Sequence, residues 1–288
     1  MGAYAVLYLN WSTRYTMEKM SCISNEAMSC FCDHNGSLRY RLSVSDCLDG
    51  IIIAVRKNGW FTLDGVDPLK NGLNMNWVIP NKIIAMKDPK AKQDDGKMAV
   101  DKRYMKELLK HGIDYLVRLN SKDFENDEKY GEAYLPDDVF AQGIGLYDFP
   151  IKDGGIPTQK QLNSFLEICS IAETQIAVHC HAGLGRTGTM IACYLIRDYG
   201  FTSRQAVAWL NMCRRGSVMG QQHDFLDRFY KEIQEEKLRH PVCVNVKDPE
   251  FVCCQSQAHS EEDENRSEIT KYLNLDEPQI KKWRLDTL

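Results

Sequence analysis

One short segment of the sequence, residues 176–189, combines a nucleophile, a guanidinium group and several glycines. Cys180 follows the apolar run that ends at His179, and Arg186 stands six residues after the cysteine. A tight loop between a strand and a helix turns successive backbone N–H groups inward above a helix N-terminus, which makes an anion site of phosphate size. The planar fork of Arg186 can bind two oxygens of such an anion. The predicted phosphate-binding residues are His181, Ala182, Gly183, Leu184, Gly185 and Arg186.

The thiol of Cys180 would lie among those N–H dipoles and beside a guanidinium, which favours the thiolate at neutral pH. A thiolate about 3–3.5 Å from phosphorus can attack it and form a phosphocysteine. The predicted chemistry is therefore phosphoryl transfer by Cys180, with neither a metal nor a cofactor. The other ten of the eleven cysteines are expected to be small buried hydrophobes.

The oxygen that leaves phosphorus needs a proton, so a carboxylic acid should stand on a separate loop. Asp153 lies in the Gly-containing segment 151–158, between a predicted strand and a predicted helix, and is the predicted general acid. Asp148, at the end of the preceding strand, is the alternative.

Five further residues are predicted to support this chemistry. Hydrolysis of a phosphocysteine needs a positioned water, which Gln221 and Gln222 could orient, unless they are only a solvated helix start. Thr187 can donate its hydroxyl to the cysteine sulfur. His179 is predicted to hydrogen-bond to the backbone and shape the loop, and His181 to be a weak extra cation or simply exposed.

The elements that must position these residues alternate short apolar runs with longer amphipathic segments from residue 83 to about 233. This alternation is typical of an α/β protein with a mostly parallel sheet. The predicted strands are Ile83–Met86, Asp114–Leu119, Gly145–Tyr147 and Gln175–His179. The predicted helices are Asp101–His111, Thr158–Ile171, Arg186–Tyr199, Ser203–Cys213 and Gln222–Lys237. An earlier helix, leading into the apolar run 51–55, is predicted to be capped by Ser45 or Asp46.

Composition predicts four regions along the chain. Residues 1–63 are expected to form helical pieces, residues 64–76 a linker, residues 77–237 the catalytic α/β domain, and residues 238–288 an acidic, disordered tail. From residue 240 onward there are ten Asp/Glu and six Lys/Arg, a balance of −4 that equals the net charge of the whole chain. The first 239 residues are therefore neutral overall.

Several classes of protein are disfavoured by the sequence. Its longest apolar runs fall short of the ~20 residues of a membrane-spanning helix. No basic residue precedes Arg14, so no secretory signal is predicted. No basic stripe suited to nucleic acid is present. The odd number of scattered cysteines favours reduced thiols and an intracellular protein.

The sequence resembles the cell-division-cycle-fourteen family of dual-specificity protein phosphatases in the segments HCHAGLGRTGTMIACYLI, YDFPIKDGGIPT and RRGSVMGQQHDFL. The segments NMNWVIPNKIIAM, GIDYLVRLN, GAYAVLYL and SVSDCLDGIIIAVRKNGWF extend the resemblance to about residues 2–235. It implies a dual-specificity phosphatase fold, with helices around a central mostly parallel sheet. It also implies that a partial, mostly helical remnant of a second phosphatase-like domain precedes this fold, so that the chain is N-terminally shortened.

The resemblance also implies roles and a biological setting. Cys180 would be the nucleophile, Arg186 the phosphate ligand and Asp153 the general acid. Phosphoprotein substrates would carry phosphoserine or phosphothreonine before proline, or phosphotyrosine, in cell-cycle, cytokinesis or centrosome and cilium regulation. The implied locations are the nucleus, the cytoplasm and the centrosome, spindle or cilium. In the family, acidic linker residues favour a basic residue after the phosphosite, whereas residues 70–74 contain no acid here, which predicts a weaker preference.

Two other functions remain open on the sequence. The same loop could serve a phosphoinositide or RNA phosphatase, although only His181 and Arg186 offer cations within it. A phospho-binding pseudophosphatase scaffold would keep the loop without turnover. Because the shortened N-terminal region would expose apolar surface, a partner that covers it is also expected.

Overall fold

The computed structural model describes residues 1–23, 42–60, 72–92, 98–120, 134–171 and 174–239. Residues 1–234 form one compact unit. Its strands are β1 (Met75–Ile79), β2 (Ile83–Met86), β3 (Lys90–Lys92), β4 (Met98–Val100), β5 (Tyr115–Arg118), β6 (Gly145–Asp148) and β7 (Ile176–His179). In this part of the chain, β1, β2, β7, β5 and β6 form one sheet in that order, and β3 pairs with β4. β1 is antiparallel to β2, and the neighbouring pairs from β2 to β6 are parallel.

The parallel strands end in register at one edge of the sheet. Met86 of β2 is opposite His179 of β7, His179 is opposite Arg118 of β5, and Arg118 is opposite Asp148 of β6. Every residue of β2 and β7 is buried, as expected for strands that are covered on both faces. The loops that follow these strands therefore meet at the carboxyl edge, where open α/β sheets bind their ligands.

The helices that follow the sheet's first strands are α4 (Lys102–Lys110), α5 (Pro136–Phe140), α6 (Gln159–Ser170), α7 (Gly185–Tyr199), α8 (Ser203–Cys213) and α9 (Gln221–Arg239). α7 is buried from Gly185 to Ile196 and ends at Gly200, whose φ of 69° is the left-handed conformation that commonly closes a helix. The short helix α5 was not predicted, and the bounds of the other five helices agree with the predicted ones to within one or two residues. The α/β fold with a mostly parallel central sheet is confirmed.

The described residues before β1 are helical, as predicted. They form three short helices, α1 (Gly2–Leu7), α2 (Thr13–Lys19) and α3 (Val44–Ile51), and the last continues as a π-helical turn, Ile52–Lys57. The predicted cap of the helix Val44–Ile51 is wrong, because Ser43 occupies that position. Its hydroxyl accepts from the N–H of Asp46, and the Asp46 carboxylate accepts in return from the N–H of Ser43 at 2.7 Å. Asp46 also binds Arg204 of α8 at 2.8 Å, which joins this helix to the α/β part.

Two boundaries differ from the prediction. β1 begins at Met75, inside the stretch predicted as a linker, and β3 lies in a stretch for which no strand was predicted. Residues 61–71 and the predicted tail from residue 240 lie outside the described residues, so the division into four regions stays a prediction. Within the described residues, no helix combines the length and apolarity needed to cross a membrane.

Candidate active site

Cys180 lies at the carboxyl edge of the sheet, directly after β7, and is 3% exposed. Residues 180–185, called the cysteine loop below, connect β7 to α7. Gly183 has a φ of 69°, and a Cβ atom there would lie 2.0 Å from the carbonyl oxygen of Met86. Only glycine allows this contact, which brings the loop backbone against the end of β2.

The carbonyl groups of four consecutive loop residues, 181–184, accept hydrogen bonds from outside the loop. The N–H of Asp88 donates to His181 at 3.1 Å, and the N–H of Val218 donates to Leu184 at 3.4 Å. Arg214 donates to the other two, from Nε to Gly183 at 2.7 Å and from its terminal nitrogen to Ala182 at 2.8 Å. Within the described residues, the N–H groups of residues 182–184 have no acceptor. The loop therefore keeps backbone donors available for an anion.

Arg186 opens α7, and its side chain is 1% exposed. One terminal nitrogen donates to the carbonyl of Ile151 at 2.9 Å, and the other lies 3.0 Å from the Asp153 carboxylate. The Nε–H is buried without a partner among the described residues. A buried donor of this kind costs free energy until an acceptor arrives, so the guanidinium is suited to an anion.

The structure distinguishes the two candidate acids. Asp153 contacts Arg186, and its side chain is 47% exposed in the loop before α6. Asp148 instead binds Arg118 through both carboxylate oxygens, one of them 2.6 Å from Nε. The loop arginine and the carboxylate predicted as the acid thus lie together, whereas Asp148 belongs to an ion pair with the neighbouring strand.

Both predicted glutamines contact the loop that carries Asp153. Gln221 donates to the carbonyl of Gly154 at 2.9 Å, and Gln222 donates to the carbonyl of Gly155 at 3.0 Å. Gln222 is fully buried, which excludes a merely solvated helix start for this residue. The first turn of α9 therefore holds the Asp153 loop in place.

His179 is buried and makes two hydrogen bonds. Its Nδ1 lies 3.2 Å from the carbonyl of Cys180, and its Nε2 lies 2.7 Å from the hydroxyl of Tyr134. Burial lowers the pKa of His179 to about 3, so the ring is neutral near pH 7. A neutral ring that donates from Nδ1 must accept at Nε2, and Tyr134 is therefore the donor. Arg118 holds Tyr134 in turn, since its guanidinium donates to the Tyr134 carbonyl at 2.8 Å.

Two other predicted residues lie beside the loop. Thr187 is fully buried, and its hydroxyl has no partner among the described residues. His181 is half-buried, and its pKa is lowered by burial and by the positive charges of Lys90, Lys87 and Arg186. This shift favours the neutral ring over the extra cation that the sequence suggested.

Comparison with known proteins agrees with this geometry. Residues 73–226, more than half of the chain, match the family described as "Swiss Army Knife protein, DSP-PTPase phosphatase domain". The chain belongs to the DSP-PTPase family. Among curated relatives, it is 35% identical to human "Dual specificity protein phosphatase CDC14A" over 79% of this chain and 38% of that protein. It is 31% identical to "Tyrosine-protein phosphatase cdc-14" of Caenorhabditis elegans over 78% of this chain and 32% of that protein.

The resemblance to the cell-division-cycle-fourteen phosphatases is thereby confirmed, although the chain spans less than two fifths of the length of these relatives. A solved structure of kinase-associated phosphatase, with serine replacing its catalytic-site cysteine, has a TM-score of 0.47 and 23% identity. That match covers 57% of this chain and 98% of the other.

Sequence reasoning missed three residues of this DSP-PTPase site. Tyr134 orients His179, Arg214 supports the cysteine loop, and Asp88 contacts that loop through its N–H. Arg214 stands inside a segment that carries the resemblance, RRGSVMGQQHDFL, but its spacing from Cys180 matches no general motif. Tyr134 and Asp88 had no signal in the sequence, because only the sheet brings them to the loop.

Two other cysteines show the contrast with a reactive thiol. Cys169 and Cys193 are buried, and burial raises the pKa of both thiols well above the ordinary value. Such thiols stay protonated and inert. Among the described cysteines, these two fit the predicted role of small buried hydrophobes. Cys47 and Cys213 are half-buried, and the prediction is wrong for Cys22, which is exposed.

Asp88 is a buried carboxylate beside the cysteine loop. Asn120 donates to one of its oxygens at 3.1 Å, and Lys90 lies 3.9 Å from the same oxygen. The other oxygen is buried without a hydrogen bond from the described residues. Burial raises the pKa of Asp88 from 3.8 to about 6, so near pH 7 the protein carries a poorly solvated charge here.

We expect Asp88→Asn to stabilise the protein at neutral pH. An acid whose pKa is raised on folding holds its proton more tightly in the folded state, so its contribution to stability falls as pH rises from about 4 to 6. Removing the charge should raise the free energy of unfolding at pH 7.5 by up to about 3 kcal/mol, which is the pKa difference converted to energy. Urea denaturation at pH 7.5, 5.0 and 4.0 measures this gain, which should shrink toward zero at pH 4.

The exposed carboxyl of Asp137 provides a matched control. Asp137→Asn removes one negative charge from the surface and should change stability by less than about 0.5 kcal/mol at each pH. A variant D88N that is no more stable than the unsubstituted protein at pH 7.5 would contradict the expectation.

Proposed function

We propose that this chain is a dual-specificity protein phosphatase that hydrolyses phosphoserine, phosphothreonine and phosphotyrosine through a phosphocysteine. The observation that carries the proposal is the geometry of the cysteine loop. Its carbonyl groups are bound from outside, and its N–H groups 182–184 and the buried Nε–H of Arg186 have no acceptor among the described residues. A phosphate monoester supplies oxygens for all of these donors beside Cys180.

In the first step, the Cys180 thiolate attacks phosphorus. The P–S bond forms as the bond from phosphorus to the substrate oxygen breaks, and Asp153 transfers its proton to the leaving oxygen. The loop N–H groups and Arg186 hold the three remaining phosphoryl oxygens as charge redistributes over them. The dephosphorylated protein leaves, and Asp153 is left as a carboxylate.

In the second step, water attacks the phosphocysteine. Asp153 takes a proton from that water, the P–S bond breaks, and inorganic phosphate and the thiolate are regenerated. Thr187 can donate its buried hydroxyl to the departing sulfur. Gln221 and Gln222 donate hydrogen bonds to the carbonyls of Gly154 and Gly155 and so hold the loop that carries Asp153. Asp153 is thereby kept close to the attacking water, which the two glutamines were predicted to orient.

The proposed biological setting is the one that the resemblance to the cell-division-cycle-fourteen phosphatases implies. We propose phosphosites followed by proline, and a role in the cell cycle, cytokinesis or centrosome and cilium regulation, in the nucleus, cytoplasm or those structures. Asn74, in the linker segment 70–74 that lacks acidic residues, binds Arg214. A preference for a basic residue after the phosphosite is therefore expected to be weak.

A second candidate function is phosphoinositide hydrolysis. The positive charges of Lys87 and Lys90 both lower the pKa of His181. Two cations that the sequence had not revealed therefore lie near the loop. Asp88 offsets Lys90, however, and Lys87 is exposed to solvent. This balance favours a singly phosphorylated peptide over a polyanionic headgroup.

Cys180→Ser should abolish phosphate release and retain phosphopeptide binding. Serine keeps the size of the side chain but is not ionised near neutral pH, so the loop still binds the anion while no phosphoenzyme forms. Phosphate release and fluorescence anisotropy with one labelled phosphopeptide measure the two properties. Turnover by the serine variant would refute the mechanism, and wild-type protein that binds without turnover would favour a pseudophosphatase.

Asp153→Ala should slow hydrolysis of a phosphoserine peptide by about 10²- to 10⁴-fold. Hydrolysis of an activated aryl phosphate should fall far less, since its leaving group departs without a proton. Asp148→Asn is the matched control, because that carboxylate binds Arg118 rather than Arg186. The expected outcome is a similar change for both substrates in D148N, and equal losses in D153A would contradict the assignment of the acid.

A substrate panel tests the proposed substrate class. Peptides with pSer-Pro, pThr-Pro or pTyr, each with and without a downstream lysine, should all be hydrolysed faster than inositol phospholipid vesicles. The downstream lysine should change kcat/KM by less than about tenfold, which corresponds to about 1.4 kcal/mol. Faster turnover of the lipid would contradict the proposal that the substrates are phosphoproteins.

A further inference from the structure

Arg214 is the residue from which a further role can be inferred. It follows α8 directly and is 7% exposed, an unusual position for a charged side chain. Its guanidinium donates four hydrogen bonds, to the carbonyls of Ala182 and Gly183 and to the side-chain oxygens of Asn74 and Asn76. Two of these acceptors belong to the cysteine loop, and the other two belong to the start of β1.

All four acceptors on Arg214 are uncharged oxygens. Burying a charge without an opposite charge is costly, so the buried cation is a clue to function. Burial lowers the pKa of Arg214, and the negative charge of the Cys180 thiolate counteracts this shift. The guanidinium and the Cys180 side chain are therefore within electrostatic reach of each other.

The other charged groups near the loop offset one another. Arg186 lies 3.0 Å from Asp153, and Lys90 lies 3.9 Å from Asp88. Among the described residues, four further titratable groups lie near the loop on β7, within the loop, after β2 and on α4: His179, His181, the exposed Lys87 and Tyr104.

We propose that Arg214 is a positioning residue for the cysteine loop and stabilises the Cys180 thiolate from behind it. The inference rests on the proposed phosphatase function, which it deepens. Two fork nitrogens hold the carbonyls of Ala182 and Gly183, which orients the adjoining peptide groups. The guanidinium, whose acceptors are all uncharged oxygens, also places a positive charge on the side of the loop where these carbonyls are bound.

The geometric and electrostatic contributions can be separated by two substitutions. Arg214→Lys keeps the charge but loses the planar fork, whereas Arg214→Gln keeps a hydrogen-bond donor but loses the charge. Arg215→Gln is the matched control, because it removes the same charge from the neighbouring exposed position. Circular dichroism and thermal unfolding of all three variants report whether each is folded.

The experiment measures carboxamidomethylation of Cys180 by iodoacetamide, followed by peptide mass spectrometry from pH 4 to 9. This readout does not depend on turnover. The pH midpoint of alkylation should rise by about one unit in R214Q, as expected when a nearby opposite charge is lost, and stay at the wild-type value in R214K and R215Q. The value of kcat/KM for a phosphopeptide should fall about 10²-fold in R214Q, with partial recovery in R214K.

The outcomes distinguish the inference from the proposed function. An unchanged midpoint in folded R214Q, or a rise in R214K as large as that in R214Q, would overturn the role of Arg214. If R214Q does not fold, R214K still tests the inference, since it must combine a wild-type midpoint of alkylation with a reduced kcat/KM. Wild-type protein that alkylates normally but releases no phosphate from any substrate would refute the proposed function and leave the electrostatic inference standing.

Discussion

The site depends on one constraint: groups outside the cysteine loop bind the carbonyl oxygens of residues 181–184. A peptide group points its N–H and its C=O in opposite directions, so holding one determines where the other can go. The holders come from separate places in the chain: Asp88 after β2, Arg214 after α8, and Val218 before α9. Val218 itself has a φ of 64°, a strained conformation for a β-branched residue, and lies against Leu184.

The sheet makes that constraint possible by aligning the strand ends. The register of β2, β7, β5 and β6 places Met86, His179, Arg118 and Asp148 in one row. From this row a chain of contacts runs from the partly exposed Asp148 through the buried Arg118 and Tyr134 to His179. The cysteine loop thus begins directly after His179, whose ring orientation and tautomer are determined by these contacts.

The sequence predicted what is local and missed what is distant. A strand, a loop and a helix within fourteen residues were enough to place Cys180 and Arg186 at the two ends of one loop, and the Gly-rich segment located Asp153. The partners Arg214, Tyr134 and Asp88 lie tens of residues from the atoms that they bind, so no spacing rule could reveal them. The cap at Ser43 failed for another reason: three polar residues within four positions could each serve as a cap, and local pattern does not choose among them.

The contact between Asp153 and Arg186 has a consequence for the release of product. The Asp153 carboxylate lies 3.0 Å from one terminal nitrogen of the guanidinium. Under the proposed function, a phosphate that binds both Nε and this terminal nitrogen displaces the carboxylate, which regains its partner when phosphate leaves. The proposed acid thus competes with the product for the same cation, which weakens product inhibition and lets the loop bind an anion tightly without retaining it.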